Sequence, residues 1–449
     1  MSNNITDIFI EDLFALSNSN IPTAVLQKAK NCVLDYLGVT FAGAKILQEK
    51  GNKYLEFQND NSSIATVIGF NRKASIFNSI IVNGLSSHVL ELDDGDRYAM
   101  LHPGVPVISA LLAVAEAERV DSDLFLKAVV IGYEATIRIA RVMQPSLKLN
   151  GYHGTGVCGT IGVAIACAAV LGFTIEEMKN ALSAAATGSG GLLKVLDNGS
   201  ELKPLNVARA ALNGYIAASI AKANINGPDD VLGGSRGFLS VFSNRNDITK
   251  LKRNNDRFAI EDIYIKPYAA CRHSHSAVEA VLNIRKEHQL NLNDIKNIFV
   301  RTYKLGVEGH DHIEITDSSS AKMSTPYSVA AALVTGKSGI SEFLPEQIEN
   351  QEILKLLNII EIKTDAELSQ LVPRKRPAIV EIHLQDGSIY SNRVDLPKGE
   401  PENPVFQNEL IEKFCSLALY GGKTQDEADK TIKILMGPKF ILEDLFLVL

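Results

Sequence analysis

The chain has 449 residues, a formal net charge of −7, 46% hydrophobic and 22% charged residues. That balance excludes wholesale disorder, and the acidic excess argues against a dedicated nucleic-acid binder, which carries surplus Lys and Arg. The length predicts two or three domains with a core large enough to need no disulfide or structural metal. MSNNITDIFIEDLFALSN lacks a basic start and an apolar run ending in small residues, so it does not read as a secretory signal, and FLVL is no lipidation motif. Cys32, Cys158, Cys167, Cys271 and Cys415 are scattered and form no CxxC pair. They read as reduced thiols in a cytoplasmic protein.

Residues 1–265 read mostly as helix. Val25, Leu26, Ala29, Cys32, Val33, Tyr36 and Leu37 recur at helical spacing across 22–43. Further Ala-rich helices are predicted at about 74–91, 105–117, 123–143, 156–171, 175–187, 207–224 and 229–235. Many are small-residue-rich all round, which predicts a compact bundle with most helices buried. The longest apolar run, Val157–Phe173, is shorter than the roughly 20 residues a membrane span needs and reads as a core helix. The pattern changes near Ile263. A helix at about 274–288 precedes IKNIFVRTYK, which alternates like a strand. Helices follow at 326–336 and 345–357, then strands in IEIKTD and PAIVEIHLQDGSIYSNRV with Asp386-Gly387 as a hairpin turn. The predicted fold is mainly α with a smaller α+β unit. An all-helical domain spans 1–265, an α/β lid spans 266–394, and 395–449 returns to helix and completes the first domain.

Several clusters carry chemistry. Gly154-Thr155-Gly156-Val157-Cys158-Gly159 is a literal GxGxxG, but the polar, proline-containing stretch before it does not read as the buried strand a dinucleotide site needs. Close helix packing, or an anion at a helix N-terminus beside His153, are the remaining readings. In ELDDGDRYAMLHPG, Asp93, Asp94 and Asp96 lie near His102. They fit a divalent-cation site, a solvated turn, or a carboxylate orienting a histidine acid or base. Lys203 and Lys266 each precede a proline, which restricts the backbone to extended conformations and stiffens the presentation of the side chain. Lys266, Arg272, His273 and His275 sit at a predicted helix start, where arginine and the helix dipole suit a carboxylate. Cys271, His273 and His275 lack a second Cys/His pair at matching spacing, so zinc is disfavoured. His310, His312 and Glu314 alternate, so a strand would place them on one face, where they could bind a metal, but a polar loop is the preferred reading; Tyr327 reads as a packed ring or an acid. No Walker A or HExxH pattern occurs, leaving cofactor-independent proton chemistry.

Six stretches in order, NGLSSHVLELDDGDRYAMLHPG, GYHGTGVCGTIGVAIACAAVLGF, ELKPLNVARAALNG, KPYAACRHSHSAVEA, STPYSVAAALVTG and KGEPENP, together resemble the MmgE/PrpD family over nearly the whole chain. The resemblance implies a helical domain with an inserted lid, a homodimer, a site between the domains, and no metal or other cofactor. It implies acid–base roles for His102, His153 and Tyr327, with Asp93 and Asp94 beside them, and matches Lys203 and Lys266 to family lysines. Gly95, Asp96 and Arg97 depart from it where a threonine is common after the aspartate pair. The implied reaction breaks or makes a C–H bond next to a carboxylate of a small di- or tricarboxylate. Hydro-lyase (dehydratase) chemistry is the simplest form, with epimerase or isomerase and cis-aconitate-type decarboxylase as alternatives. A silent carboxylate-binding protein is the reading outside enzymes. Lys203, Lys266, Arg272 and His275 are the expected substrate-binding residues.

Overall fold

A computed structural model describes residues 4–253 and 257–449. The Thr23–Ile46 helix runs through the helical body, and every residue from Cys32 to Ala44 on it is buried. It is covered by the Ile76–His88 helix on one side and by Gln407–Tyr420 on another. Phe41 and Phe414 meet edge-on at 6.4 Å between ring centres. Lys413 ties the same pair by reaching Asp35 at 2.5 Å and the Leu92 carbonyl at 3.0 Å. The chain after residue 394 thus packs back on the first half.

The predicted apolar run forms the Gly154–Val170 helix, fully enclosed between Ser122–Met143 and Lys203–Lys222. Its GxGxxG lies inside the helix with no strand before it, so it does not present a dinucleotide turn. The glycines serve close approach. A Cβ on Gly156 would stand 2.5 Å from the Gly190 carbonyl oxygen, and one on Gly162 only 1.7 Å from Thr136 Oγ1. The expected helix at 229–235 does not form. Asp230 Oδ1 instead accepts from Thr6 N, Thr6 Oγ1 and Gly233 N, and a short helix follows at Phe238–Phe242. A side chain that satisfies nearby amides in this way competes with helix formation. The Ile5–Ser17 and Gln48–Phe57 helices and the hairpin of β1 (Ala65–Val67) with β2 (Arg72–Ala74) had no clear sequence signal.

The second region carries a four-stranded sheet. Strands β3 (Ile295–Thr302), β4 (Ile360–Thr364), β5 (Ala378–Leu384) and β6 (Ile389–Val394) are ordered β4-β3-β5-β6. Only β3 and β4 are parallel, which demands the long crossover between them. Val300 lies opposite Val380 on one neighbour and Ile362 on the other. Ile298, Val300, Val380 and Ile382 turn inward under the His275–Glu287 and Thr325–Thr335 helices. Gly387 takes φ 91° in the β5–β6 turn, a left-handed position that suits the Asp-Gly pair. The molecule is mainly helical with a smaller α/β part, and no helix among the described residues is long and apolar enough to cross a membrane.

Candidate active site

The loop from Val89 to Pro103 joins two buried helices, Ile76–His88 and Gly104–Glu118. It is held by many short contacts. Asp94 accepts from Gly104 N at 3.1 Å and from Tyr133 Oη at 2.5 Å. Asp96 accepts from Ala99 N at 2.5 Å and pairs with Arg141. Gly95 and Tyr264 exchange backbone hydrogen bonds of 3.1 and 2.9 Å, clamping the loop to the segment that enters Lys266. Glu91 and Met100 take φ of 56° and 53°, and both line the same pocket. Left-handed non-glycine residues cost about 1–3 kcal/mol each and concentrate at functional sites. Gly95 is explained by Tyr264: a Cβ there would stand 2.3 Å from the phenol oxygen. Gly95→Thr is therefore expected to displace the Tyr264 ring and destabilise the protein by about 2 kcal/mol, read as a lowered Tm.

Three histidines gather behind this loop. The His88 ring lies 5.0 Å from His102 and 6.2 Å from His153. Asp93 Oδ2 is 2.9 Å from His88 Nδ1 and 3.2 Å from His102 Nδ1. His102 Nδ1 also lies 2.6 Å from the Asp94 carbonyl oxygen, an atom that only accepts, so Nδ1 carries the proton and Nε2 is left as a base. Burial opposes ionisation of Asp93, but His88 and His102 outweigh it and hold the carboxyl well below its usual range. Burial lowers the His102 pKa and Asp93 partly offsets this, so the imidazole is neutral near pH 7. His153 precedes the Gly154–Val170 helix, and burial, then Lys203 and His88, push its pKa well down. Asp94 points away from the pocket. Burial raises its pKa to about 7 despite the Tyr133 hydrogen bond. Its part is to fix the loop and, through its carbonyl, the His102 tautomer.

The cations meet on Glu91. Lys203 pairs with Glu91 Oε1, while Lys266 donates to the Glu91 carbonyl at 2.8 Å and stands 3.6 Å from Oε2. Burial disfavours the Glu91 charge, yet Lys203 and Lys266 keep its carboxyl well below the ordinary value. Lys266 is fully buried and extends from a non-helical segment. Lys203 differs from the expected extended conformation: it opens the Lys203–Lys222 helix, with Pro204 next, where a missing N–H costs nothing.

The two other expected substrate ligands, Arg272 and His275, are engaged by groups of the protein itself. Arg272 reaches the pocket wall, but its nitrogens are engaged by Glu400, His275 Nδ1 and the Lys398 and Pro397 carbonyls. It ties the lid to the 397–400 turn. His275 is buried behind it, with Nε2 against the Ala270 carbonyl at 3.1 Å, and does not line the pocket. Tyr327 is also outside. It is fully buried in the lid core, packs on Phe343 and donates to the Glu342 carbonyl at 2.8 Å. Tyr327→Phe is therefore expected to cost about 1 kcal/mol of stability and leave turnover unchanged, checked by thermal melts beside steady-state rates.

Other pocket residues were not singled out from sequence. Lys148, Arg376, Tyr264 and Tyr303 line it. His310, read from the sequence as part of a polar loop, lines it too and is only 6% exposed. Arg376 had a signal, since it also precedes a proline. His88 had none, because a histidine within an apolar helix reads as packing. Beside Lys148, Lys203 and His310 the pocket opens into a wider cleft reaching Leu85, Ser319 and Phe343.

A family model for the MmgE/PrpD N-terminal domain matches residues 13–251, and one for the MmgE/PrpD C-terminal domain matches 268–436. The chain belongs to the MmgE/PrpD family. It is 27% identical to the cis-aconitate decarboxylase-like protein oryM of Aspergillus oryzae, over 92% of this chain and 90% of that protein. It is 26% identical to the cis-aconitate decarboxylase of Aspergillus terreus, over 94% and 90%. To the human cis-aconitate decarboxylase it is 24% identical, over 99% and 93%. These relatives support an enzyme of MmgE/PrpD type with lyase chemistry.

Proposed function

We propose that the protein is a cofactor-independent lyase that transfers a proton next to a carboxylate of a small di- or tricarboxylate. The observation carrying this reading is the meeting, in one pocket, of a neutral His102 with a bare Nε2 and two lysines, the buried Lys266 and the partly buried Lys203, already holding a carboxylate. Lys203 and Lys266 would share their charge between Glu91 and an incoming carboxylate, with Lys148 and Arg376 as further cations on the wall. Charge that develops on the substrate as a C–H or C–C bond breaks would then face fixed cations in a water-poor site, where they count most. His102 and His153 would move the proton, Asp93 steadying His102 in either protonation state.

The names of the relatives favour decarboxylation: carbon dioxide leaves, the electron pair conjugates with a remaining carboxylate, and a histidine protonates carbon. Dehydration is the second reading. It needs an acid for the leaving hydroxyl, and with Tyr327 outside the pocket that role would fall to a histidine, Tyr264 or Tyr303. Epimerisation needs only the two histidines on opposite substrate faces.

The pH profile has a definite sign in each reading. Where His102 removes a proton, as dehydration and epimerisation require, it must be unprotonated, so kcat/KM is expected to fall as pH drops through the His102 pKa, below the ordinary value of about 6.5; a decarboxylase that uses a histidine only as acid would instead lose activity as pH rises. Asp93→Asn removes the charge that supports that pKa and should move the acidic limb to still lower pH. A limb that shifts upward would contradict the pairing.

Proton NMR in deuterated buffer with citrate, 2-methylcitrate, cis-aconitate, malate and iminodisuccinate separates the readings. Loss of carbon dioxide or water identifies the lyase and its substrate class. Deuterium incorporation without net product indicates epimerisation. No change with any acid would overturn the proposal.

A further inference from the structure

The wall of the pocket formed by the lid carries a second cluster that the proton chemistry does not use. Cys271 Sγ and His310 Nε2 are 3.9 Å apart. His310 Nδ1 lies 2.9 Å from the Met323 carbonyl oxygen, which only accepts, so Nδ1 holds a proton and Nε2 is the nitrogen turned to the sulfur. The His273 ring lies 5.0 Å from His310, with its Nδ1 at 2.7 Å from Tyr303 Oη. All three side chains line the pocket, and the ligand-type atoms of Cys271, His273 and His310 lie within 4.8 Å of one another.

Two uses fit such a group. A soft divalent cation could take a sulfur and two imidazole nitrogens. Lys148 argues against this: its ammonium is 3.4 Å from His273 Nε2, where a third ligand would have to meet the ion. Lys203, Lys266 and Arg376 line the same space, with Glu91 the carboxylate among the pocket-lining side chains. Such a field favours a negative sulfur over an added dication.

We propose that Cys271 and His310 form a thiolate–imidazolium pair that captures carboxylates bearing an electrophilic carbon, in particular α,β-unsaturated di- and tricarboxylates. This rests on the carboxylate reading of the pocket. The thiolate adds to the β-carbon, forming a C–S bond as the C=C π pair moves to the α-carbon as an enolate. The imidazolium of His310 gives its Nε2 proton to that carbon. The product is a thioether, and no oxidant, reductant or further reactant is required. An unsaturated acid that lingers in the pocket would thereby block it.

The electrostatics agree with the geometry. Burial raises the Cys271 pKa, but His310 more than compensates, with Lys203 helping and Glu91 opposing, and the thiol comes down to about 6. Burial lowers the His310 pKa and the Cys271 charge reverses this, leaving it raised. The other groups facing the sulfur are neutral His273, whose pKa is well down chiefly through burial, and Lys148, lowered by the same cause. Cys158 and Cys167 are fully buried in the one apolar helix Gly154–Val170, with burial raising the Cys167 pKa to about 12 and that of Cys158 further, so they should not compete.

Alkylation of the full-length protein tests this, with iodoacetate and iodoacetamide compared at each pH and the site located by peptide mass spectrometry. Free thiols react faster with the neutral reagent. Here Cys271 should be the first cysteine modified, with the anionic reagent faster by about tenfold and a rate midpoint near pH 6. His310→Gln should move that midpoint toward an ordinary thiol and slow alkylation about a hundredfold at pH 7. Incubation with fumarate should then add the mass of one intact acid at Cys271 and none in Cys271→Ser. A wild-type midpoint above about pH 8, or faster reaction with iodoacetamide, overturns the proposal even if His310→Gln does not fold. Fast anionic alkylation without a fumarate adduct overturns the capture step. Because alkylation needs no turnover, failure of the lyase reading in the NMR experiment would show separately.

Discussion

His102→Asn is expected to lower kcat by about 10²–10⁴-fold while the protein stays folded. Asparagine can still donate to the Asp94 carbonyl, so the loop keeps the contact that His102 Nδ1 now makes at 2.6 Å. What it cannot supply is the basic Nε2. The cost should therefore appear in turnover rather than in melting temperature, and the NMR assay should show loss of solvent-deuterium exchange. Turnover within about threefold of wild type would remove His102 from the proton-transfer step. His153→Asn offers a comparison: if the two histidines act on opposite sides, each variant should abolish a different half of the exchange.

Lys266→Met should cost about 2–4 kcal/mol in kcat/KM, roughly thirty- to a thousandfold. Lys266 is fully buried, and its ammonium meets both the carbonyl and the carboxylate of Glu91. Methionine fills most of the same volume without the charge. Two effects then combine: a substrate carboxylate loses a partner, and the buried Glu91 charge is left to Lys203. Glu91→Gln should act in the opposite direction on binding. It releases both lysines and is expected to tighten a tricarboxylate inhibitor such as citrate by about tenfold, measured by calorimetry. Weaker citrate binding in that variant would mean that Glu91 positions the lysines rather than competing for them.

Much of this site was legible in linear order. The two Lys-Pro pairs, the Asp-rich loop ending in His102, and His153 before a small-residue helix lie in separate stretches, and the structure brings Lys203, Lys266, Asp93, His102 and His153 to one place. Local chemistry marks such residues, because a charged side chain beside apolar helices is rare unless it has a task. The helices were legible for a similar reason. Ser122–Met143 and Gly154–Val170 follow from local apolar and small-residue content, which any packing of the chain must bury.

What was not legible depends on partners distant in sequence. Arg272 and Tyr327 read as site residues until Glu400 and the Glu342 carbonyl claim their polar atoms. His88 looks like packing until Asp93 folds back beneath it, and His310 looks like solvated loop until the lid sets it against Cys271. The sequence by itself determined the helical body, the α/β segment, and which residue types could bind carboxylates. Only the tertiary structure decided which donors remain free, which histidine nitrogen is bare and which carboxylate stays ionised. Those properties are set by burial and by charges brought within a few ångströms across hundreds of residues, and no local pattern encodes them.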